Sequence, residues 1–352
     1  RIGGFRVGNI SAMYATANRG KSSVALDLSK PEGVEVFKRL VADADVLVQN
    51  FRPGAVDRMG IGADDLMALN DRLIYVSISG FGPTGPYRDW KVYDPIIQSI
   101  AGLPSIQVHN EVQLPDLVRT IICDKAAATL AAQAITAALF ARERGQAKGQ
   151  HLVIPMLDSA LYWSWPDSFM AHTLRGPAVT PGPTVYTIYR LQQTADGYMV
   201  YFAASDVEAF GLFRALGHPE WAEDGRFSTP QSRQTTGNFE ALGALIHEAF
   251  LSFTTDDILV RLLAEQVPSA PVNTLDEVFT DPQVVNNDIV HTWYHDTVGE
   301  IRQAKPPVQW SATQHVPVWA VDSLGESTEA VLRAHGYDEA GLAALRSRDV
   351  IA

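Results

Sequence analysis

Short apolar runs alternate with amphipathic segments over the first 160 residues, and this alternation restricts the fold more than any other feature. "SSVALDL" (22–28) is a strand candidate. Residues 29–44 read as a helix: Ser29 as N-cap and Glu32 three positions later make a capping box, and Pro31 falls in the first turn. Val34, Phe37, Leu40 and Val41 form its apolar stripe. "DVLVQN" (45–50) predicts a strand, 63–70 a helix, and "LIYVSIS" (73–79) a strand followed by a long loop. Residues 124–145 predict a long helix that stops at Gly145, and 149–161 one more strand running into a helix. Such alternation implies a parallel sheet with helices packed on it. Ligands of such sheets gather beyond the carboxyl ends of the strands. Those ends are Gln49–Asn50, Ser79 onward and the 120s.

The later sequence is organised differently. Residues 175–186 are rich in Pro and Gly and read as a loop. Residues 189–204 resemble a hairpin turning at "ADG". Helices are expected at 207–216, 238–252 and 255–265, a loop and short helix at 267–284, and a polar helical tail from about 328. The 352 residues suffice for two domains or one large one. No run of about 18 apolar residues occurs, so no membrane span is expected. Cys123 is the single cysteine, which excludes an internal disulfide and fits a reducing, cytoplasmic setting. Residues 1–150 carry 17 basic and 15 acidic side chains, against 11 and 25 in the remainder. A net charge of −12 excludes nucleic-acid binding through a bulk positive field, while the first part can still hold a small anion.

Several local patterns bear on chemistry. "GFGPTG" (80–85) fits GxGxxG after a strand, but Pro83 and Pro86 prevent the helix that a dinucleotide site needs. In "QNFRPGAVDRMG" (49–60), Arg52 and Arg58 flank a Pro-Gly turn; they suit phosphate, or are two solvated arginines on a surface turn. "RDWKVYDPIIQ" (88–98) places Lys91, Tyr93 and Asp94 before an apolar helix that Asp94 can cap, with Pro95 at its first position. "HTWYH" (291–295) spaces two histidines four apart without a third ligand, so no metal site is expected. No GxSxG nucleophile elbow occurs. "TIICDKAAAT" (120–129) sets one carboxylate, Asp124, where an apolar run meets an alanine-rich helix. As an N-cap, Asp124 would accept from the next turn's N–H groups, which with the helix dipole favour its ionised form. An ionised carboxylate is also a competent nucleophile toward a thioester, and the two roles are compatible.

Taken in order, "NRGKSSVALDL" (18–28), "PEG" (31–33), "ADVLVQNFRPGAVDRMG" (44–60), "LIYVSISGFGPTGPY" (73–87), "YDPIIQSIAGL" (93–103), Asp124 and "RGQAKGQHLVIPMLDSAL" (144–161) resemble the class III CoA-transferases, the CaiB/BaiF family. "YRLQQTADGYMVYFAAS", "RALGHPEW", "RFSTPQSR" and "VPSAPVNTLDEVFTDPQV" extend the likeness over nearly the whole chain. The resemblance implies an interlocked homodimer. Each chain would have an α/β, Rossmann-like large domain with a parallel sheet, built from both chain ends, and a smaller inserted α+β domain. The expected boundaries are 1–185, 186–285 and 286–352. The resemblance makes Asp124 the catalytic aspartate, passing CoA from an acyl-CoA to a carboxylic acid through an aspartyl-CoA intermediate. It places coenzyme A, a substrate rather than a tightly bound cofactor, along Leu26, Asp27, Leu28, Ser29, Asn50, Phe51, Arg52, Arg58, Lys91, Val92, Tyr93 and Asp94. Arg58 and Lys91 are the expected phosphate contacts, and N–H groups at the start of the 124 helix the expected oxyanion donors.

Departures from the family pattern carry their own expectations. The family's opening strand and helix, which supply part of the CoA site, have no counterpart before Arg1; either that stretch lies outside this sequence or another segment replaces it. Many relatives carry Lys where this chain has Ser29, which displaces Lys30 from that contact. The tetraglycine run that covers the active site of formyl-CoA transferase has no counterpart, so formyl or oxalyl transfer is not implied; 175–185 is a candidate cover. The nearest rival is the α-methylacyl-CoA racemase, whose histidine precedes the aspartate of the "YD" stretch. Tyr93 stands there, and tyrosine is a poor replacement base near neutral pH. A catalytically silent CoA-binding subunit is the third reading, because a capping aspartate would be retained in one.

Overall fold

The computed structural model describes residues 4–107, 115–313 and 316–351. The chain divides into two compact units, Arg1–Phe169 with Ile289–Ala352, and Met170–Asp288. In the first, strands Val46–Gln49, Ile74–Ser79 and Gln150–Pro155 form a parallel sheet in that spatial order. The fold is therefore mixed α/β, as the alternation predicts. Ile74, Val76 and Ile154 on one face pack against Ala131 and Ala138 of the Ile122–Glu143 helix. On the other face Tyr75 joins Leu66, Leu73, Val56 and Val41. Its hydroxyl donates to the Ile61 carbonyl at 3.0 Å. A small alanine-lined helix face lets helix and sheet approach closely, which explains how 22 residues with so few large side chains still bury a core.

Two local expectations fail at the start of this unit. Residues 22–28 do not form a strand; Leu26 makes one isolated bridge to Ile351, and the Asp27 N–H donates to the Val350 carbonyl at 2.9 Å. The partner of this segment lies near the far end of the chain, which no local pattern reveals. Ser29 does not cap the next helix, which spans Pro31–Val41 with Lys30 at the N-cap and no side-chain cap. Its hydroxyl donates instead to Asp27 Oδ1 at 2.6 Å. The nearer carboxylate wins it. That helix buries Gly33, Val36 and Val41, while Val34 and Phe37 pack against the Tyr75 cluster and Leu40 against Leu332 and Leu342. Gly33 is fixed by close approach: a Cβ there would collide with the Asp27 carbonyl oxygen and lie 2.9 Å from its carbon. This contact seats the 26–29 segment on the helix.

Residues 289–352 return to the first unit with an antiparallel pair, Val290–His295 and Gly299–Ala304, and helices Thr328–Ala334 and Glu339–Ser347. His291 stacks on Trp319 with centroids 4.1 Å apart, and His295 bonds the Val321 carbonyl. Among the described residues no cluster suits a metal ion, and no helix is long and apolar enough to cross a membrane.

The second unit pairs Gln192–Gln193, Tyr198–Tyr201 and Ser269–Pro271 as an antiparallel sheet. Its "ADG" turn closes by Thr194 N–H to the Gly197 carbonyl at 2.9 Å. Helices Asp206–Ala215, Thr236–Phe250 and Thr255–Ala264 enclose Met199, Phe213, Phe227, Phe250 and Leu262. Ser205 and Glu208 cap the first of them reciprocally.

Gly33→Ala should displace the 26–29 segment and destabilise the protein by roughly 1–3 kcal/mol, the usual cost of overpacking. Thermal denaturation checks this; an unchanged Tm would show that the segment yields freely.

Candidate active site

The Ile122–Glu143 helix begins one residue after Ile121, which offers no side-chain cap. Asp124 lies inside the first turn and is not the N-cap that the sequence suggests. Its own N–H is a donor that needs a partner, and Asp94 supplies it. Asp94 Oδ2 accepts from the N–H groups of Cys123 at 2.8 Å and Asp124 at 3.0 Å. The neighbouring donors at 122 and 125 are also engaged: Ile122 N–H with the Thr120 carbonyl at 2.8 Å and Lys125 N–H with that of Ile121 at 3.1 Å. The N–H groups of residues 122 to 125 are therefore engaged within the chain, so these four do not serve as the oxyanion donors expected from the sequence.

Asp94 is itself the first residue of the helix Asp94–Ile100, with Tyr93 at the N-cap, so it does not cap its own helix. Only 3% exposed, it turns its carboxylate to the neighbouring helix. Gln98, one turn on and equally buried, donates to Asp94 Oδ1 at 2.6 Å. The same amide group donates to the Val118 and Thr120 carbonyls, and Gln98 Oε1 accepts from Val118 N–H at 3.0 Å. Asp94 and Gln98 thus hold both the first turn around Asp124 and the strand of loop that leads into it.

Electrostatics follow from this arrangement. Asp124 is exposed, yet the chain around it removes enough water to raise its carboxyl above the usual carboxylate range, and the Asp94 charge raises it further. The helix dipole does not reverse this, because a carboxylate already sits on the N-terminal donors. Burial pushes the Cys123 thiol up to about 12, with Asp94 and Asp124 adding to the effect. Cys123 is therefore an inert packing residue rather than a competing nucleophile.

The other predicted residues form separate local groups. Leu26 packs with Val36 and Ile351, and Leu28 with the cluster that holds Val56 and Met59. Asp27 holds Ser29, whose hydroxyl and N–H lower its carboxyl below the usual range. Lys30 bonds the Arg348 and Asp349 carbonyls. Asn50 and Phe51 lie past the end of the Val46–Gln49 strand, where Phe51 N–H donates to Gln49 Oε1 at 2.8 Å. Val92 packs against Gly80, where a Cβ would stand 2.9 Å from Val92 Cβ. The side chains of Arg52, Lys91 and Tyr93 are exposed and make no hydrogen bond within the described residues.

Sequence reasoning missed Arg88. Gly54 turns with φ +77°, and a Cβ there would lie 3.2 Å from Arg58 Nη1 and 3.7 Å from Arg88 Nη2. Two guanidinium groups therefore converge over the bare glycine. Among the described residues no carboxylate pairs with Arg58 or Arg52, and Arg88 has only a 3.9 Å contact to exposed Asp89. Guanidinium groups gathered with so little neutralisation are chemically suited to an anion.

The profile of CoA-transferase family III matches residues 1–328. The chain belongs to this family. It is similar to the succinate–glutarate CoA-transferase of Agrobacterium fabrum, with 34% identity, covering 78% of this chain and 69% of that protein. It is also similar to the succinyl-CoA–D-citramalate CoA-transferase of Chloroflexus aurantiacus, with 32% identity over 95% of this chain and 83% of that one. A crystal structure of a CaiB/BaiF family protein from Brucella suis superimposes with a TM-score of 0.77 at 30% identity, covering 92% of this chain and 84% of that one. This family III protein is a CoA-transferase, and its substrates are CoA thioesters.

The raised Asp124 carboxyl has a stability consequence with a definite sign. Its ionised form is disfavoured in the folded state, so it destabilises the fold at pH values above its folded pKa. The penalty disappears below the unfolded value of about 4. Asp124→Asn should therefore raise Tm at pH 7, with the gain shrinking as pH falls toward 4. A gain that persists at low pH, or a loss at pH 7, would contradict the assignment.

Proposed function

We propose that Asp124 is the nucleophile of the CoA transfer. The observation that carries this reading is the exposed carboxylate in a helix turn whose N–H groups at Cys123 and Asp124 are taken by Asp94 instead. Among the described residues no group bonds its oxygens, and the raised basicity of the carboxyl makes the carboxylate a better nucleophile. A carboxylate oxygen attacks the donor thioester carbonyl; the C–S bond breaks, giving a mixed anhydride and CoA thiolate. The thiolate attacks the aspartyl carbonyl of the anhydride and releases the donor acid, leaving an aspartyl-CoA thioester. The acceptor carboxylate attacks that thioester and expels CoA thiolate. The thiolate then attacks the acceptor's carbonyl, forming the new acyl-CoA and restoring Asp124.

In the same reading, coenzyme A runs along Leu26–Ser29, Asn50–Arg58 and Lys91–Tyr93. Arg58 and Arg88 take its phosphates, and Arg52 and Lys91 stand beside them. The distant nucleotide then supplies binding energy that aligns thioester and carboxylate. The names of the relatives favour dicarboxylic donors and acceptors, with succinyl-CoA and glutarate the first pair to try. The first unit acts as a Rossmann-like CoA-binding domain and the second as the small domain of an interlocked, cytoplasmic homodimer. Exposed Tyr162, Trp163 and Trp165 on the Met156–Ser168 helix support such a pairing.

Incubation with succinyl-CoA should add first acyl and then CoA mass to the protein, with the adducts released by hydroxylamine and absent in Asp124→Ala. An adduct surviving that substitution would overturn the nucleophile. Proton exchange into a 2-methylacyl-CoA without transfer would instead favour a racemase, and tight CoA binding with neither reaction a silent subunit. Arg58→Ala and Arg88→Ala should each raise KM for the acyl-CoA about tenfold with kcat little changed, the loss of one charge-assisted contact made equally in ground and transition states. An unaltered KM in both would remove the phosphates from this surface.

A further inference from the structure

We infer that Asp94 is a positioning residue, one of whose carboxylate oxygens clamps the backbone of the turn that carries Asp124, rather than a coenzyme contact. The catalytic part of this inference rests on Asp124 being the nucleophile. Asp94 is buried, with one oxygen taken by two N–H groups and the other by Gln98. It therefore presents no open face to a ligand. The clamp does not act alone. Ile97 and Ala101 of its helix share a core cluster with Cys123 and Ala127, so the polar bonds and the apolar packing join the same two helices. Gln98 extends the hold to residues 118–120, leaving neither side of the turn loose.

A neutral cap would satisfy the same donors. A carboxylate does more, because its charge acts on Asp124. The other charged and titratable groups on this turn and on the elements packed around it are unchanged by substitution of Asp94. Lys125 Nζ is held at Thr120 Oγ1, 2.8 Å away. Asp158 of the Met156–Ser168 helix lines a recess with Leu130 and Ala134, further along the long helix. On the sheet, His151 bonds Ser77 Oγ. Cys123 is neutral. Geometry and charge can thus be separated by substitution: Asn keeps an acceptor and loses the charge, and Ala loses both.

The full-length chain would be followed by amide exchange at residues 122–125 and by the rate of adduct formation with succinyl-CoA across pH. Asp94→Ala should speed exchange at Cys123 and Asp124 at least tenfold and slow adduct formation at least tenfold, with KM for the thioester little changed. Asp94→Asn should keep most of the protection and move the acid limb of the pH–rate profile to lower pH. A purely structural cap would leave that limb in place. Unchanged exchange and an unchanged profile in both variants would overturn the inference, as would a rise in KM at constant kcat, which would return Asp94 to coenzyme binding. If Asp94→Ala does not fold, the profile of Asp94→Asn decides. If the unaltered protein forms no adduct, the nucleophile reading fails separately, and exchange in Asp94→Asn and Asp94→Ala still judges the clamp, which Asp124→Ala should leave intact.

Discussion

A helix N-terminus with donors to satisfy governs the site. The first turn of an α-helix leaves its N–H groups without intrahelical partners. Here two of them are taken by a carboxylate from 29 and 30 residues upstream. Hydrogen bonds to a charged group contribute about 1.5–3 kcal/mol, more than neutral ones. The consequence reaches beyond stability. Had Asp124 served as its own cap, its oxygens would point back at the backbone and lose basicity to those donors. Because Asp94 fills that role, the Asp124 side chain is free to face outward. One carboxylate holds the turn and the other is left with its lone pairs available.

That division has a cost in like-charge repulsion and desolvation, both of which raise the Asp124 carboxyl. A chain selected for stability alone would place a neutral side chain at one of the two positions. Sites that violate such local rules are where function is expected. Close approach at bare glycines also helps to place three segments that carry residues proposed to meet coenzyme A. Bare Gly33 admits the Asp27 carbonyl, bare Gly80 admits Val92, and bare Gly54 admits the Arg58 guanidinium. At Gly33 the missing Cβ decides where the backbone of residues 26–29 lies; at Gly80 and Gly54 it admits a neighbouring side chain.

The parallel sheet was legible because alternation is a local signal: the strands expected at 45–50 and 73–79, and the one expected within 149–161, are its three members. The signals that misled were local rules overruled by distant partners. "SSVALDL" has strand composition, but Leu26 meets only Ile351, so no ladder forms. Ser29 and Glu32 have capping-box spacing, but Asp27 captures the hydroxyl. Asp124 has the position of a cap in sequence, yet the cap is Asp94. A pattern in "DPIIQ" hinted at this: Asp94 and Gln98 fall four apart on the side of the helix that also buries Ile97. Two polar residues on a buried face require partners. Arg88 left no such trace, since its relation to Arg58 exists only through the turn at Gly54.

Charge is distributed so that the two ends of the proposed substrate meet different fields. The arginine surface gathers guanidinium groups whose one carboxylate contact among the described residues is that of Arg88 with exposed Asp89, while the proposed reacting end carries two carboxylates. A protein of net charge −12 can hold a polyanion only through such local concentration. The separation also suits the chemistry. An acyl group carrying its own carboxylate is repelled from Asp124, and attraction at the phosphates offsets that repulsion for a thioester but not for the free acid. Coenzyme A would therefore be the handle by which the donor is drawn to a nucleophile that its acid alone would avoid. The acceptor acid, lacking that handle, needs a cation of its own near Asp124, and Lys125 is tied to Thr120. The Thr120 hydroxyl is neutral, so in the proposed mechanism Lys125 keeps its charge and two further N–H donors for the acceptor carboxylate.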